Sequence, residues 1–230
     1  MGEIRVIGLE GIPEVQPGDD LGALVGAAVE RVGGLEVGDV VVVAQKVVSK
    51  AEGRVEETDD VTGVILREAR AVRRRRGDLV IAETEHGYVC ASAGVDRSNA
   101  PGDGVVVLLP RDPDASAARL RDGLRERFGV APAVIVSDSF GRAWRQGTTD
   151  VAIGLAGMAA LLDLRGGEDA RGYMLSSTVI AVADELAGAA ELVMGKSRGV
   201  PVAIIRGYSA PRGDGSARDL VMPPDRDLFR

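Results

Sequence analysis

Apolar and polar positions alternate along this chain in segments short enough to assign one by one. Glu3 to Leu9 alternates loosely and predicts a strand. Pro17-Gly18-Asp19-Asp20 reads as a turn whose aspartates cap a helix from Leu21 to Val32, with Leu21, Leu24, Val25 and Val29 on one face. Val40 to Ala44 is an apolar, mostly β-branched run, the mark of a strand buried on both faces. Residues 61 to 76 predict a second helix, ending in Arg73-Arg74-Arg75-Arg76 as a solvated basic last turn. Leu79 to Ala82 and Tyr88 to Ala91 predict strands around a Glu-His-Gly turn, and Val105 to Leu109 another.

Asp112-Pro113-Asp114 opens an amphipathic helix from Ala115 to Phe128. Short strands follow at Ala133 to Val136 and Val151 to Gly154, while Ala156 to Leu162 fits either state. Thr178 to Val182 reads as strand, Ala183 to Met194 as helix, Val202 to Arg206 as strand, and the tail from Pro211 as extended or loosely packed. Strands and helices alternate with hairpin signals among them, so the expected class is α+β (mixed α/β). No linker or repeat divides residues 1–230, which read as one domain, with room for two interlocked lobes.

Composition narrows the functions. Basic residues number 28 against 35 acidic, a net charge of −7 that disfavours nucleic acid as a partner. One cysteine, Cys90, excludes an internal disulfide and a cysteine-built zinc site; in its apolar strand it reads as inert core. The single histidine, His86, reads as a turn residue rather than a base. With no apolar run long enough for a bilayer and no signal-peptide pattern, no membrane partner and a cytoplasmic location are expected.

Four polar patches each follow an apolar strand: Gln45 to Lys50, Gly94 to Asn99, Ser137 to Arg145, and Ala183 to Glu185 with Met194 to Lys196. Strand ends are where ligands commonly sit. Lysine occurs only at 46, 50 and 196 in a chain otherwise using arginine. A compact ammonium suits a single phosphate oxygen in a way arginine does not reproduce, although three lysines are few enough to fall there by chance. Asp96 and Asp138 are the candidate ligands for a hard cation, with Ser139 adding a hydroxyl; as residue types they equally fit turn caps. Arg142 and Arg145 suit a bidentate clamp on phosphate or carboxylate, or simply a solvated surface. Trp144 suits stacking on a flat ligand or a packed anchor.

Gly195-Lys196-Ser197 looks like the end of a Walker A loop, but Ala190 stands where that motif needs glycine and a helix precedes it. No Gly-x-Gly-x-x-Gly follows a strand. A nucleotide site here is neither P-loop nor Rossmann.

The same patches resemble the coenzyme F-420:L-glutamate ligase family, the γ-glutamyl ligases of deazaflavin coenzyme synthesis, almost colinearly over the whole chain. The matching blocks are Gly11-Ile12-Pro13 with Pro17 to Leu21, Lys46 to Arg54, Ala93 to Asn99, Leu108 to Ser116, Ser137 to Arg142, Ala181 to Glu185 and Met194 to Lys196. The resemblance implies GTP-dependent ligation of L-glutamate to the lactyl-phosphate carboxyl of F-420-0, followed in many members by further γ-linked glutamates. It places GTP at Ile12, Pro13, Glu14, Val15, Gln45, Lys50 and Asn99. Mg²⁺ or Mn²⁺ falls to Asp96, Asp138 and Ser139, with K⁺ as a further activator. It also implies an intertwined homodimer with mixed and antiparallel sheets.

That chemistry needs an activated acid, because a carboxylate oxygen is a poor leaving group. Phosphoryl transfer from GTP supplies an acyl phosphate, and positioning plus charge neutralisation accelerate such a transfer. Lys50, Asp138 and Arg142 are accordingly the candidate catalytic residues, Arg142 together with Arg145 for the acceptor's phosphodiester or the incoming glutamate. The segment from Arg54 to Val61 is shorter than in many family members, which leaves the number of glutamates open. The chain ends at Arg230 without the reductase domain of some bacterial relatives. The alternatives are a GTP-dependent amide ligase for another acid and a non-catalytic metal–nucleotide regulator; intact Asp96, Asp138 and Lys50 weigh against the latter.

Overall fold

The computed structural model describes residues 2–98, 100, 102 and 104–228. Its centre is a five-stranded sheet. β2 (Val40–Ala44) pairs in parallel with β8 (Ala133–Gly141), while β12 (Val202–Arg206), β1 (Arg5–Gly8) and β9 (Thr148–Ala156) join antiparallel in the order β1-β12-β2-β8-β9. Alternate side chains of β2 supply two cores: Val41 and Val43 enter one, Val40 and Val42 the other, all fully buried. This is the two-faced burial its valine run predicts. α1 (Leu21–Arg31) and α4 (Pro113–Phe128) cover the first face and α5 (Val182–Met194) the second. Asp20 caps α1 on the Ala23 amide at 3.0 Å, and Asp112 caps α4 on Ala115 at 3.0 Å with Pro113 in its first turn.

A second group of elements builds a smaller core around Val64, Ile65, Val80, Val106 and Leu108. β3 (Val55–Glu57) pairs with β7 (Val105–Val107), and β4 (Ala69–Arg76), β5 (Leu79–Thr84) and β6 (Val89–Ala91) form a three-stranded antiparallel sheet. The helix expected over 61–76 is therefore half right: α3 spans Val61–Glu68 and the arginine run belongs to strand β4. A strand sends successive arginines to opposite faces and spares them the like-charge crowding of a helical turn. It also brings Arg70 and Arg73 to the buried Glu83 of β5.

Other boundaries move for local reasons. α2 (Gln45–Ala51) is a two-turn helix within what the sequence shows as a polar patch. β8 runs on through Ser137-Asp138-Ser139, because β9 is long enough to pair with it as far as Gly141↔Thr148. The Ala156 to Leu162 stretch leaves β9 and enters β10 (Leu162–Asp163), which pairs with β11 (Val179–Ile180), shorter than the strand expected at 178–182. The tail is tied down rather than loose: Ser216 and the Ala217 amide both donate to Asp114 of α4. Cys90 is buried, and burial pushes its thiol up to about 12, in keeping with an inert core residue. Among the described residues no helix is long and apolar enough to cross a membrane.

Gly154 of β9 marks the tightest approach between α4 and the sheet: a Cβ there would stand 2.4 Å from the Pro113 carbonyl oxygen. Backbone on both sides leaves nothing to yield, so Gly154→Ala should cost about 1–3 kcal/mol. Thermal unfolding followed by circular dichroism should show the Tm lowered by roughly 3–10 °C; an unchanged Tm would contradict this packing.

Candidate functional site

Parallel pairing sets the C-terminal ends of β2 and β8 side by side, and a cleft of about 360 Å³ opens there. β2 leads directly into α2, so Gln45, Lys46 and Lys50 line one wall. Ser137, Asp138 and Ser139 of β8, with Asp150 of β9, line another. The loop Ile12 to Val15 and the segment from Met194 to Ser197, after the C-terminal end of α5, complete the lining. All three lysines of the chain, 46, 50 and 196, therefore face one cleft. The N-terminal turn of α2 and the C-terminal end of α5 both border the cleft, so the two helix ends oppose one another there and its full positive charges are those of the lysines.

Lys50 is buried and ion-pairs with Glu14, whose own side chain is largely exposed. Gln45 is buried, donating to Ser49 Oγ at 2.8 Å one turn on and to the Leu108 carbonyl at 3.1 Å. Lys46 ion-pairs with Asp96 at 2.7 Å. Asp96 leaves the small sheet beside Val107 and stands behind Lys46 rather than in the cleft wall itself. Burial works against its charge, yet Lys46 and the Ser98 amide hold its carboxyl below the usual range. Asp138 goes the other way: burial pushes it up to about 7, although Lys46 and the Ser139 amide pull it down, with Asp96 and Asp150 adding repulsion.

Asp150 went unnoticed in the sequence. It is buried and accepts hydrogen bonds at 2.8 Å from both Ser137 and Ser139 hydroxyls across the ladder. The signal was available: an acid one residue ahead of Val151, on the same face as Ala152 of an inward-facing strand. With its proton committed to Asp150, the Ser139 oxygen keeps its lone pairs for another partner.

Asp138, Asp96 and Ser139 offer the hard oxygen donors that Mg²⁺ or Mn²⁺ takes, and the raised Asp138 carboxyl is a charge that a cation would relieve. Among the described residues no three His, Cys, Asp or Glu side chains form a cage. Not every expected residue gathers here. Arg142 lies exposed in the β8–β9 hairpin, donating to the Gln146 carbonyl at 3.2 Å, and neither it nor Arg145 lines the cleft. Asn99 lies outside the described residues. His86 sits in its turn against the Pro110 carbonyl, away from the cleft lining.

A model of the F420-0:Gamma-glutamyl ligase family matches residues 11–207. The chain is 42% identical to the coenzyme F420:L-glutamate ligase of Methanothermobacter thermautotrophicus over 99% of each chain. It is 43% identical to the protein of the same name from Methanopyrus kandleri over the full length of both. With the Methanocaldococcus jannaschii protein of that name it shares 40% identity over 85% of this chain and 86% of the relative.

The Asp138 carboxyl yields a test that needs no substrate. In a chelating buffer the folded chain keeps this proton to about pH 7, whereas an unfolded aspartate releases it near pH 4. A raised native pKa means the native state loses stability as pH rises through that window. Asp138→Asn removes the loss, so the variant's Tm should gain on the wild type from about pH 4 to about pH 7 and the difference should level off above that. A constant difference would show that Asp138 is not a strained carboxylate.

Proposed function

The chain belongs to the F420-0:Gamma-glutamyl ligase family, and we propose that it joins L-glutamate to coenzyme F420-0 with cleavage of GTP to GDP and phosphate, through an acyl-phosphate intermediate. The single observation that carries the nucleotide half of this reading is the convergence of all three lysines on one cleft beside a carboxylate pair. Such a constellation matches a polyphosphate accompanied by divalent cations.

In this reading the loop Ile12 to Val15 and the buried Gln45 seat the nucleotide, and Asn99 joins them. Phosphates arriving in the cleft give Lys50 a stronger partner than the exposed Glu14 carboxylate. The acceptor's carboxylate oxygen then attacks the γ-phosphorus, the bond to the β-phosphate oxygen breaks, and GDP leaves. The glutamate amine attacks the acyl carbon, its proton passes to solvent, and phosphate departs as the amide forms. Neither step needs a protein nucleophile, which fits a cleft furnished with charges and hydrogen bonds. Mg²⁺ or Mn²⁺ at Asp96, Asp138 and Ser139 would neutralise phosphate charge in the transferring state. Asp150 keeps Ser139 turned for that contact. A K⁺ ion adds to the same charge balance, and Arg142, outside the cleft wall, serves the acceptor's phosphodiester or the glutamate carboxylates. We assign the working form as a cytoplasmic homodimer, following the family resemblance.

Mass spectrometry of F420-0 incubated with the protein, L-glutamate, GTP and Mn²⁺ should show addition of one or more glutamates that disappears when GTP is withheld. Product formed without GTP would overturn the acyl-phosphate route, and absence of product would overturn the acceptor. Lys50→Ala should raise the KM for GTP about tenfold or more, a loss of at least about 1.4 kcal/mol of binding. Unchanged KM and kcat together would remove Lys50 from the site.

A further inference from the structure

The reaction above gives Lys50 a phosphate to hold and leaves Lys46 without a task. Lys46 sits in the first turn of α2, directly after β2, and its ammonium lies 2.7 Å from Asp96 Oδ2. Its side chain is only 15% exposed, which sets this contact apart from the solvated surface pairs that contribute little. The other oxygen of Asp96 accepts the Ser98 amide at 2.6 Å. Burial works against the charge on Asp96, and Lys46 together with that amide outweighs it. The same ammonium favours the ionised form of Asp138, whose Oδ1 accepts the Ser139 amide at 2.9 Å. Lys46 is thus the counter-charge for both carboxylates that offer themselves to a divalent cation.

An ammonium at that distance competes with a divalent cation for Asp96 Oδ2. The two charges have one sign and seek the same lone pairs, so a cation seated on this oxygen drives the ammonium off. Lys46 is built to move. Its charge is a compact point on four flexible carbons, and its three donors take an oxygen from many directions. What it needs on leaving is another anion, because a largely buried charge stripped of its partner is strongly unfavourable. Lys46 lines the cleft, where a polyphosphate supplies such oxygens. The choice of lysine follows as well, in a chain whose other cations outside the cleft are arginines. A guanidinium would grip both carboxylate oxygens of Asp96 at once and be harder to displace.

We propose that Lys46 is a displaceable counter-ion, which holds the Asp96 and Asp138 carboxylates against a divalent cation and yields them when nucleotide phosphates offer its ammonium another partner. The inference deepens the metal and nucleotide reading above and rests on it. Its consequence is a coupling between the two ligands beyond their direct contact with each other. A cation alone strands the ammonium, whereas a cation with a polyphosphate does not. By linkage, the nucleotide gains affinity to the same extent once Lys46 has been released toward it.

Free Mn²⁺ followed by electron paramagnetic resonance reads binding to the full chain with neither acceptor nor turnover. Without nucleotide, Lys46→Met should lower the Kd for Mn²⁺ about tenfold relative to the wild type. Lys46→Gln keeps a donor for Asp96 without the charge; it should shift the Kd in the same direction and stands in if the methionine variant does not fold. Lys50→Met removes a cleft charge whose partner is Glu14, and should lower the Kd by less than about threefold. GTP, with the Mn²⁺ it chelates by itself subtracted in a protein-free control, should raise Mn²⁺ affinity by a smaller factor in the Lys46 variants than in the wild type. Lys46 variants that bind Mn²⁺ no more tightly than the wild type would overturn the proposal, since loss of a merely structural lysine gives that result. An equal gain in Lys50→Met would also overturn it, because the cause would then be the general charge of the cleft. If no protein binds Mn²⁺, with or without GTP, the metal site and this role of Lys46 fall together. Tighter binding by the Lys46 variants of a chain that forms no product would leave the role of Lys46 standing and sink the ligase reading.

Discussion

Everything in the candidate site hangs on the parallel pairing of β2 with β8. Parallel strands bring like ends together, so the helix that continues β2 and the polar end of β8 must meet at one edge of the sheet. An antiparallel pairing would have put Lys46 and Asp138 at opposite ends. The pairing is secured by burial on both faces: valines at 40 to 43 and residues 133 to 136 divide between two cores that α1 and α4 seal on one side and α5 on the other. Such a pair cannot slip register without moving apolar side chains into the wrong core layer. The rigidity that holds the cleft's polar groups in place is therefore a consequence of the hydrophobic layers beneath them.

Two charged groups at the cleft are poorly matched to their surroundings. Lys46 serves two carboxylates, holding Asp96 ionised while failing to offset the burial of Asp138. Lys50, buried, faces an exposed Glu14 that water also solvates. Glu14, unlike Lys50, can turn to water, so it can yield Lys50 to another anion. A polyanion with its cations adds charges of both signs where each is lacking.

The legible parts of the sequence were those where one local rule dominated. The valine run, the Asp20 and Asp112 caps and the helix at 183–194 each appear in the structure where the pattern places them. The lysine pattern singled out the cleft because arginine elsewhere made lysine informative. What misled was a segment where two rules compete. Residues 61 to 76 end in a basic run that suits a helix terminus, but ladder pairing with Leu79–Thr84 settles 69–76 as strand, and that partner lies beyond a hairpin. Asp150 escaped for a similar reason: its meaning comes from two serines thirteen and eleven positions away, which only the β8–β9 register brings opposite it. Arg142 was grouped with Asp138 by sequence proximity, yet the strand carries it past the cleft into the hairpin.

Beside the β9 edge of the sheet lies a second cavity of about 700 Å³, lined by Phe140 of β8 and by Val151 and Ala152 of β9. An edge strand exposes unpaired N–H and C=O groups, which native sheets must cover. Here side chains do so one by one: Asp184 takes the Ala152 amide, Asp114 takes the Leu155 amide, and the Tyr88 hydroxyl reaches the Ile153 carbonyl. Asp114 also binds Ser216 and Ala217, so the tail that closes one side of the second cavity is anchored by the group that caps the strand. Tyr88 likewise belongs to both the cap and the cavity wall. Covering β9 with point contacts instead of another strand or helix leaves space beside it, and that space is the second cavity. The edge is thereby kept from pairing with a stray strand, and the ribbon holding Asp138, Ser139 and Asp150 is braced from the side away from the cleft.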